Sequence, residues 1–139
     1  MRGYNLIVVY NETLDKLLMC TRRNPPYAGL LNFVGGRIED GEESFSAAYR
    51  ELEEETSITR DDIVLTRLMD FKYHVYDLYM EVYVGKLNKA VRVAGDENEL
   101  CWQELDDDFF DVSKYAGDGN IGHILCVIDQ CRDKVLREE

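Results

Sequence analysis

What this chain lacks narrows its possibilities first. Basic residues are scarce: 16 Lys and Arg stand against 28 Asp and Glu, a formal net charge of -12. Binding of DNA or RNA draws on clusters of Lys and Arg that release counterions from the phosphate backbone, so no nucleic-acid polymer is expected as a partner. Long apolar runs are missing too. Leu6-Ile7-Val8-Val9-Tyr10 and the stretch ending in the C-terminal helix fall far short of the roughly 20 residues of a membrane span. The first residues carry neither the apolar region nor the small-residue cleavage site of a signal peptide, and a cytoplasmic protein with no membrane partner is the expectation. The four cysteines, Cys20, Cys101, Cys126 and Cys131, show no C-x-x-C spacing. They read as reduced, partly buried thiols rather than zinc ligands or a disulfide framework. Internal repeats and low-complexity tracts are absent.

What is present suits a single domain over residues 1–139, with 45% hydrophobic residues to form a core. Residues 4–10 and 14–20 are apolar and rich in strand formers around Asn11-Glu12-Thr13, which predicts an opening hairpin. Asn24 to Leu30, containing the adjacent Pro25-Pro26, reads as a loop. A helix is predicted from about Ser44 to Thr56, with Glu43 or Ser44 at its N-cap and Phe45, Ala48 and Leu52 facing the core. Residues 62–75 and 77–87 read as two longer strands with a turn near Asp77, and Leu100 to Trp102 as a short one. Gly119-Asn120 opens a last helix with Ile121, Ile124, Leu125, Ile128 and Cys131 on one face and Arg132, Lys134 and Arg137 near its end. The sum is an α/β domain with mixed strand pairing.

One stretch carries chemistry. Along a helix, Glu51, Glu54 and Glu55 fall within about 100° of one another, so three carboxylates share a face. Mg²⁺ takes oxygen ligands in octahedral geometry and commonly keeps water and substrate phosphate in its shell, which a carboxylate ridge beside an open cleft would suit. Gly35-Gly36 precedes it, two residues that let backbone approach a ligand closely. A solvated acidic face is the bland alternative, since like charges four apart on an exposed helix cost only a few tenths of a kcal/mol.

The spacing goes beyond three glutamates. Gly36, Glu42, Arg50-Glu51-Leu52, Glu54-Glu55 and Ile58 match the pattern Gly-x5-Glu-x7-Arg-Glu-U-x-Glu-Glu-x-Gly-U, with U apolar, and the segment resembles the Nudix box. Ser57 stands where that pattern has its last glycine. A left-handed residue is commonly needed there, and a side chain in it costs roughly 1 kcal/mol, without loss of any ligand. The resemblance implies an α/β/α sandwich with a mixed sheet, and hydrolysis of a nucleoside diphosphate linkage with Mg²⁺, or Mn²⁺, as cofactor. It implies Glu54 and Glu55 as principal metal ligands, Glu51 as ligand or proton acceptor, Gly35 as a carbonyl ligand, and Glu42 with Arg50 as an ion pair locking loop to helix. A further carboxylate is expected from the loop before Trp102, Glu97 first, with Asp96 and Glu99 as alternatives.

For the substrate, a small nucleotide, the resemblance is strongest to the MutT and 8-oxo-dGTPase branch, which implies cleavage of an ordinary or oxidised nucleoside triphosphate to monophosphate and pyrophosphate. Arg22, Arg23 and Arg37 offer charge to phosphates. Asn32 could read a base edge or bond its own backbone, and Asp118 and Asn120 could close a base pocket. ADP-ribose or another nucleoside diphosphate sugar, dinucleoside polyphosphates (through Tyr73 and Tyr76), and nucleotide sensing without cleavage stay open as alternatives, as do monomer and homodimer.

Overall fold

The computed structural model describes residues 1–95 and 98–136. Two largely apolar segments near the start, β1 (Arg2–Tyr10) and β2 (Lys16–Thr21), pair antiparallel across the predicted turn. The turn is held from within: Asn11 Oδ1 accepts from the backbone N–H groups of Asp15 and Lys16. Short strands β3 (Leu31–Asn32) and β4 (Arg37–Ile38) flank the glycine pair and lie against β2 and β1. Helix α1 (Ser44–Thr56) follows, then β5 (Thr66–Tyr73), β6 (Leu78–Lys86), β7 (Glu99–Glu104) and helix α2 (Asn120–Gln130).

The seven described strands form one mixed sheet. Its spine runs β3-β2-β1-β6-β5, with β4 on β1 and β7 on β2, and the β1–β6 pair is parallel while the others are antiparallel. Because strand side chains alternate, β1 feeds both faces. Leu6, Val8 and Tyr10 join α2 residues Ile121, Ile124, Leu125 and Ile128 on one side. Ile7 and Val9 join Ala48 and Leu52 of α1 on the other. Helices on opposite faces of a mixed sheet make the expected α/β/α sandwich.

Helix α1 occupies the predicted bounds. Glu43 caps it, its carboxylate accepting from the N–H groups of Phe45 and Ser46. A buried polar knot pins the same end to the sheet: Glu81, 3% exposed, accepts from the hydroxyls of Tyr83 and Ser44 and pairs with Arg67. Both ionic partners are satisfied, which is the condition for placing a charge so deep.

Three expectations need correction. The last helix stops at Gln130; Cys131 leaves helical geometry and a separate four-residue turn, α3 (Arg132–Val135), follows. Leu136 beyond it still joins the α2-side core, and Arg137 lies outside the described residues. The longer strand predicted from residue 62 begins at Thr66, since Asp62 instead caps a turn by accepting from Thr59 N–H. Of the cysteines, Cys20 is buried, Cys101 and Cys131 are half-buried, but Cys126 is exposed, on the side of α2 opposite its apolar stripe.

Candidate metal and phosphate site

The glycine pair and the box helix meet at the edge of the sheet, and one residue of β1 sets their contact. Asn5, 1% exposed, donates its backbone N–H to the Gly36 carbonyl at 2.8 Å and accepts from the Gly36 N–H through Oδ1 at 2.9 Å. Gly36 is thus gripped on both sides of its peptide. At Gly35, with φ at +144°, any side chain would run into the Asn5 carbonyl, and at Gly36 it would run into the Glu51 carboxylate. The missing Cβ of Gly36 lets Glu51 lie against the loop, and that of Gly35 lets the loop lie against Asn5. Sequence reasoning missed Asn5. Its one signal was a lone amide inside an otherwise apolar strand.

Glu51, Glu54 and Glu55 line one cleft of about 420 Å³ with Gly36, Arg37, Asn98 and Leu100. Arg50 organises its rim. The guanidinium makes a two-pronged pair with Glu42 at 2.7 and 2.9 Å, reaches Glu51 at 3.0 Å and Glu54 at 3.2 Å, and donates to the Arg37 carbonyl at 3.0 Å. The loop of residues 36–42 is thereby tied to α1 through one planar cation, a geometry Lys could not reproduce. The Arg50 hydrogen bond holds the Glu42 carboxyl below the usual carboxylate range. Burial pushes Glu51 the other way, upward, against the pull of Arg50.

The donor set fits a hard divalent cation: carboxylate oxygens, a cleft open to solvent, and a glycine gap beside Glu51. Among the described residues, no three His, Cys, Asp or Glu side chains are drawn together as a closed ligand cluster. The carboxylates share the cleft while Arg50 bonds both Glu51 and Glu54. Glu97 and its alternative Asp96 lie outside the described residues; Glu99 is exposed at the start of β7.

The other substrate candidates do not all gather here. Arg37 is exposed on the cleft wall. Arg22 instead bonds the Pro26 carbonyl, bracing its own loop, and Arg23 is exposed beside it. Asn32 turns Oδ1 onto the Phe33 N–H at 2.9 Å, the local bond foreseen as its alternative. Asp118 and Asn120 form a second group: Asp118 accepts from the Tyr27 hydroxyl at 2.6 Å, and Asn120 donates to the Tyr73 hydroxyl at 2.8 Å. The Asp118 bond is the main reason the Tyr27 phenol is pushed up to about 12, with smaller contributions from nearby Tyr73 and Tyr76. Carboxylate, amide and aromatic groups therefore adjoin one another, and none of them is among the residues lining the acidic cleft.

At the far end of α1, Ser57 has φ +70°, the left-handed conformation expected of that position. Replacing it with glycine removes the Cβ strain but also a hydroxyl bond to the Ala94 carbonyl at 3.0 Å. The two effects are each about 1 kcal/mol and opposed, so Ser57→Gly should unfold within about 1 kcal/mol of the parent in urea. A larger loss would mean that the hydroxyl outweighs the strain.

The family model for the NUDIX domain matches residues 2–118. Among solved structures, a MutT/nudix family protein from Enterococcus faecalis is 18% identical, with a TM-score of 0.72 over 96% of this chain and 62% of that one. This chain thus spans less than two thirds of the Enterococcus protein. A C. elegans Ap4A hydrolase is 20% identical with a TM-score of 0.73, covering 95% of this chain and 98% of its own. A MutT from work on Aliivibrio salmonicida and Vibrio cholerae is 20% identical with a TM-score of 0.66, covering 93% and 98%. At such identities these structures attest the shared fold.

Proposed function

The chain belongs to the Nudix family, and we propose that it is a hydrolase of phosphoric anhydride bonds, a Mg²⁺-dependent nucleotide pyrophosphohydrolase converting an ordinary or oxidised nucleoside triphosphate to monophosphate and pyrophosphate. The observation that carries this reading is that Glu51, Glu54 and Glu55 line one cleft together with Arg37. Glu54 and Glu55 would hold the cation, with Glu51, the Gly35 carbonyl and Glu97 completing its protein ligands. Bound there, Mg²⁺ would neutralise charge developing on the phosphate oxygens. Arg37 meets a phosphate at the rim. Glu51 has a raised pKa and sits against the glycine loop, placed either to bind the cation or to take a proton from attacking water. Glu42 and Arg50 keep loop and helix in register. The helix beyond residue 118 packs on the same core as the strands, which supports one domain over residues 1–139.

The grouping of Tyr27, Tyr73 and Tyr76 with Asp118 and Asn120 supports a base-binding role for that patch, since aromatic faces stack on bases and a carboxylate or amide reads their edges. The same grouping favours a second reading, a dinucleoside polyphosphate as substrate, with two bases to stack.

The test is a panel of ordinary and oxidised nucleoside triphosphates, ADP-ribose and dinucleoside polyphosphates with Mg²⁺ or Mn²⁺, scored by product chromatography. Pyrophosphate and monophosphate released from a triphosphate, and abolished by chelator, are the expected result. Tight nucleotide binding without turnover on any member would replace the reading with a sensor.

A further inference from the structure

Ser57 departs from the box pattern, and its side chain has a specific partner. The segment Ala94-Gly95 crosses the C-terminal end of α1 and touches it three times. Ala94 donates its N–H to the Thr56 carbonyl at 3.0 Å, and its own carbonyl accepts from the Ser57 hydroxyl at 3.0 Å. Gly95 lies so close to the Glu55 carbonyl that a Cβ there would overlap it, and its nearest side chain is Leu100. A few residues on, Asn98 and Leu100 line the same cleft as Glu51, Glu54 and Glu55. Of the three contacts, only the hydroxyl bond comes from a side chain, and a glycine at 57 could not make it.

We propose that Ser57 is a positioning residue: its hydroxyl ties Ala94 to the end of α1, fixes the wall formed by Asn98 and Leu100, and so raises the affinity of the carboxylate face for a divalent cation. The inference rests on the hydrolase reading above. The bond's contribution is offset in global stability by the left-handed strain at Ser57, so its net effect falls on the cleft. Thr56 is built into the same junction, its hydroxyl donating to the Leu52 carbonyl and accepting from the Ile58 N–H. The anchor at this end of the helix is therefore rigid, and slack introduced at Ser57 passes to the crossing segment rather than to α1.

Two variants separate this from a merely structural role. Ser57→Gly loses the tether and relieves the left-handed strain, while Ser57→Ala loses the tether and keeps the strain. Thermal melting should place the glycine variant at or above the parent and the alanine variant below it. Mn²⁺ binding, read by the loss of the free-ion electron paramagnetic resonance signal without nucleotide, should weaken about tenfold in both. Amide exchange over residues 94–100 in metal-free protein should quicken in both. Parental Mn²⁺ affinity in Ser57→Gly, or affinity that follows melting temperature across the pair, would overturn the inference while leaving the hydrolase reading intact. A parent chain that neither bound Mn²⁺ nor hydrolysed any nucleotide would remove the reading and the inference together.

Discussion

Glu54→Gln is expected to lower turnover by roughly a hundredfold or more while the melting temperature stays close to that of the parent. The two halves of that result come from one geometric fact. Glu54 sits on the solvent side of α1 with its side chain 60% exposed, and its bond to Arg50 is an i,i+4 pair at 3.2 Å. Such pairs contribute a few tenths of a kcal/mol at most on an exposed helix, and glutamine has the helix propensity of glutamate. Stability has almost nothing to lose. Function has a full negative charge to lose, at the wall of a cleft whose other carboxylates must balance a cation carrying substrate phosphate. Raising Mg²⁺ should restore only part of the rate, because the amide oxygen is a weaker donor to a hard ion. Turnover with saturating Mg²⁺ and a circular dichroism melt on the same sample decide it. A variant that turns over like the parent would reduce Glu54 to a solvated residue.

The box helix could be read in full from the sequence because every signal for it is local. Glu43 is a capping carboxylate three residues before Ser46, the apolar stripe repeats with helical period, and Ser57 ends the helix in a left-handed conformation. The shared cleft face of Glu51, Glu54 and Glu55 follows from the same period. Features set by residues distant in sequence were not legible. The clamp of Asn5 on Gly36 spans 31 residues, and nothing in the spacing of either segment encodes it. The break at Cys131 has no glycine or proline beside it to announce it. Arg22 and Asn32 carried the right chemistry for substrate contact, yet the structure commits Arg22 Nε to the Pro26 carbonyl and Asn32 Oδ1 to a neighbouring N–H. Residue type predicted what these groups could bond; only the fold decides which partner is nearer. Arg50 shows the same limit in milder form. Its pairing with Glu42 is implied by the family pattern and its i,i+4 reach to Glu54 follows from helix spacing, whereas its bond to the adjacent Glu51 is not set by that spacing.

That reach makes Arg50→Met the change with the widest consequence. Methionine keeps the aliphatic length of the side chain and removes the guanidinium from Glu42, Glu51, Glu54 and the Arg37 carbonyl at once. Glu42 and Glu51 are left with 18% and 14% exposure and no counter-charge from Arg50, and a half-buried carboxylate stripped of its partner is strongly destabilising. The loss should depend on pH with a defined sign. In the parent, Glu42 has a folded pKa below the ordinary glutamate value of 4.5, so its contribution is present above that value and disappears as pH falls through the folded pKa. Glu51 has a folded pKa above 4.5; burial favours its protonated form, and stability declines as pH rises through the folded value. Removing Arg50 cancels the first contribution and pushes Glu51 further up, which deepens the second. Both changes are silent when the carboxyls are protonated and fully expressed once they are charged. The gap in melting temperature between parent and variant should therefore be small near about pH 3 and widen to a plateau towards about pH 7, with turnover at neutral pH falling by at least tenfold as the loop leaves Glu51. A gap independent of pH would mean that the methionine side chain, and not the unpaired carboxylates, is what destabilises the fold.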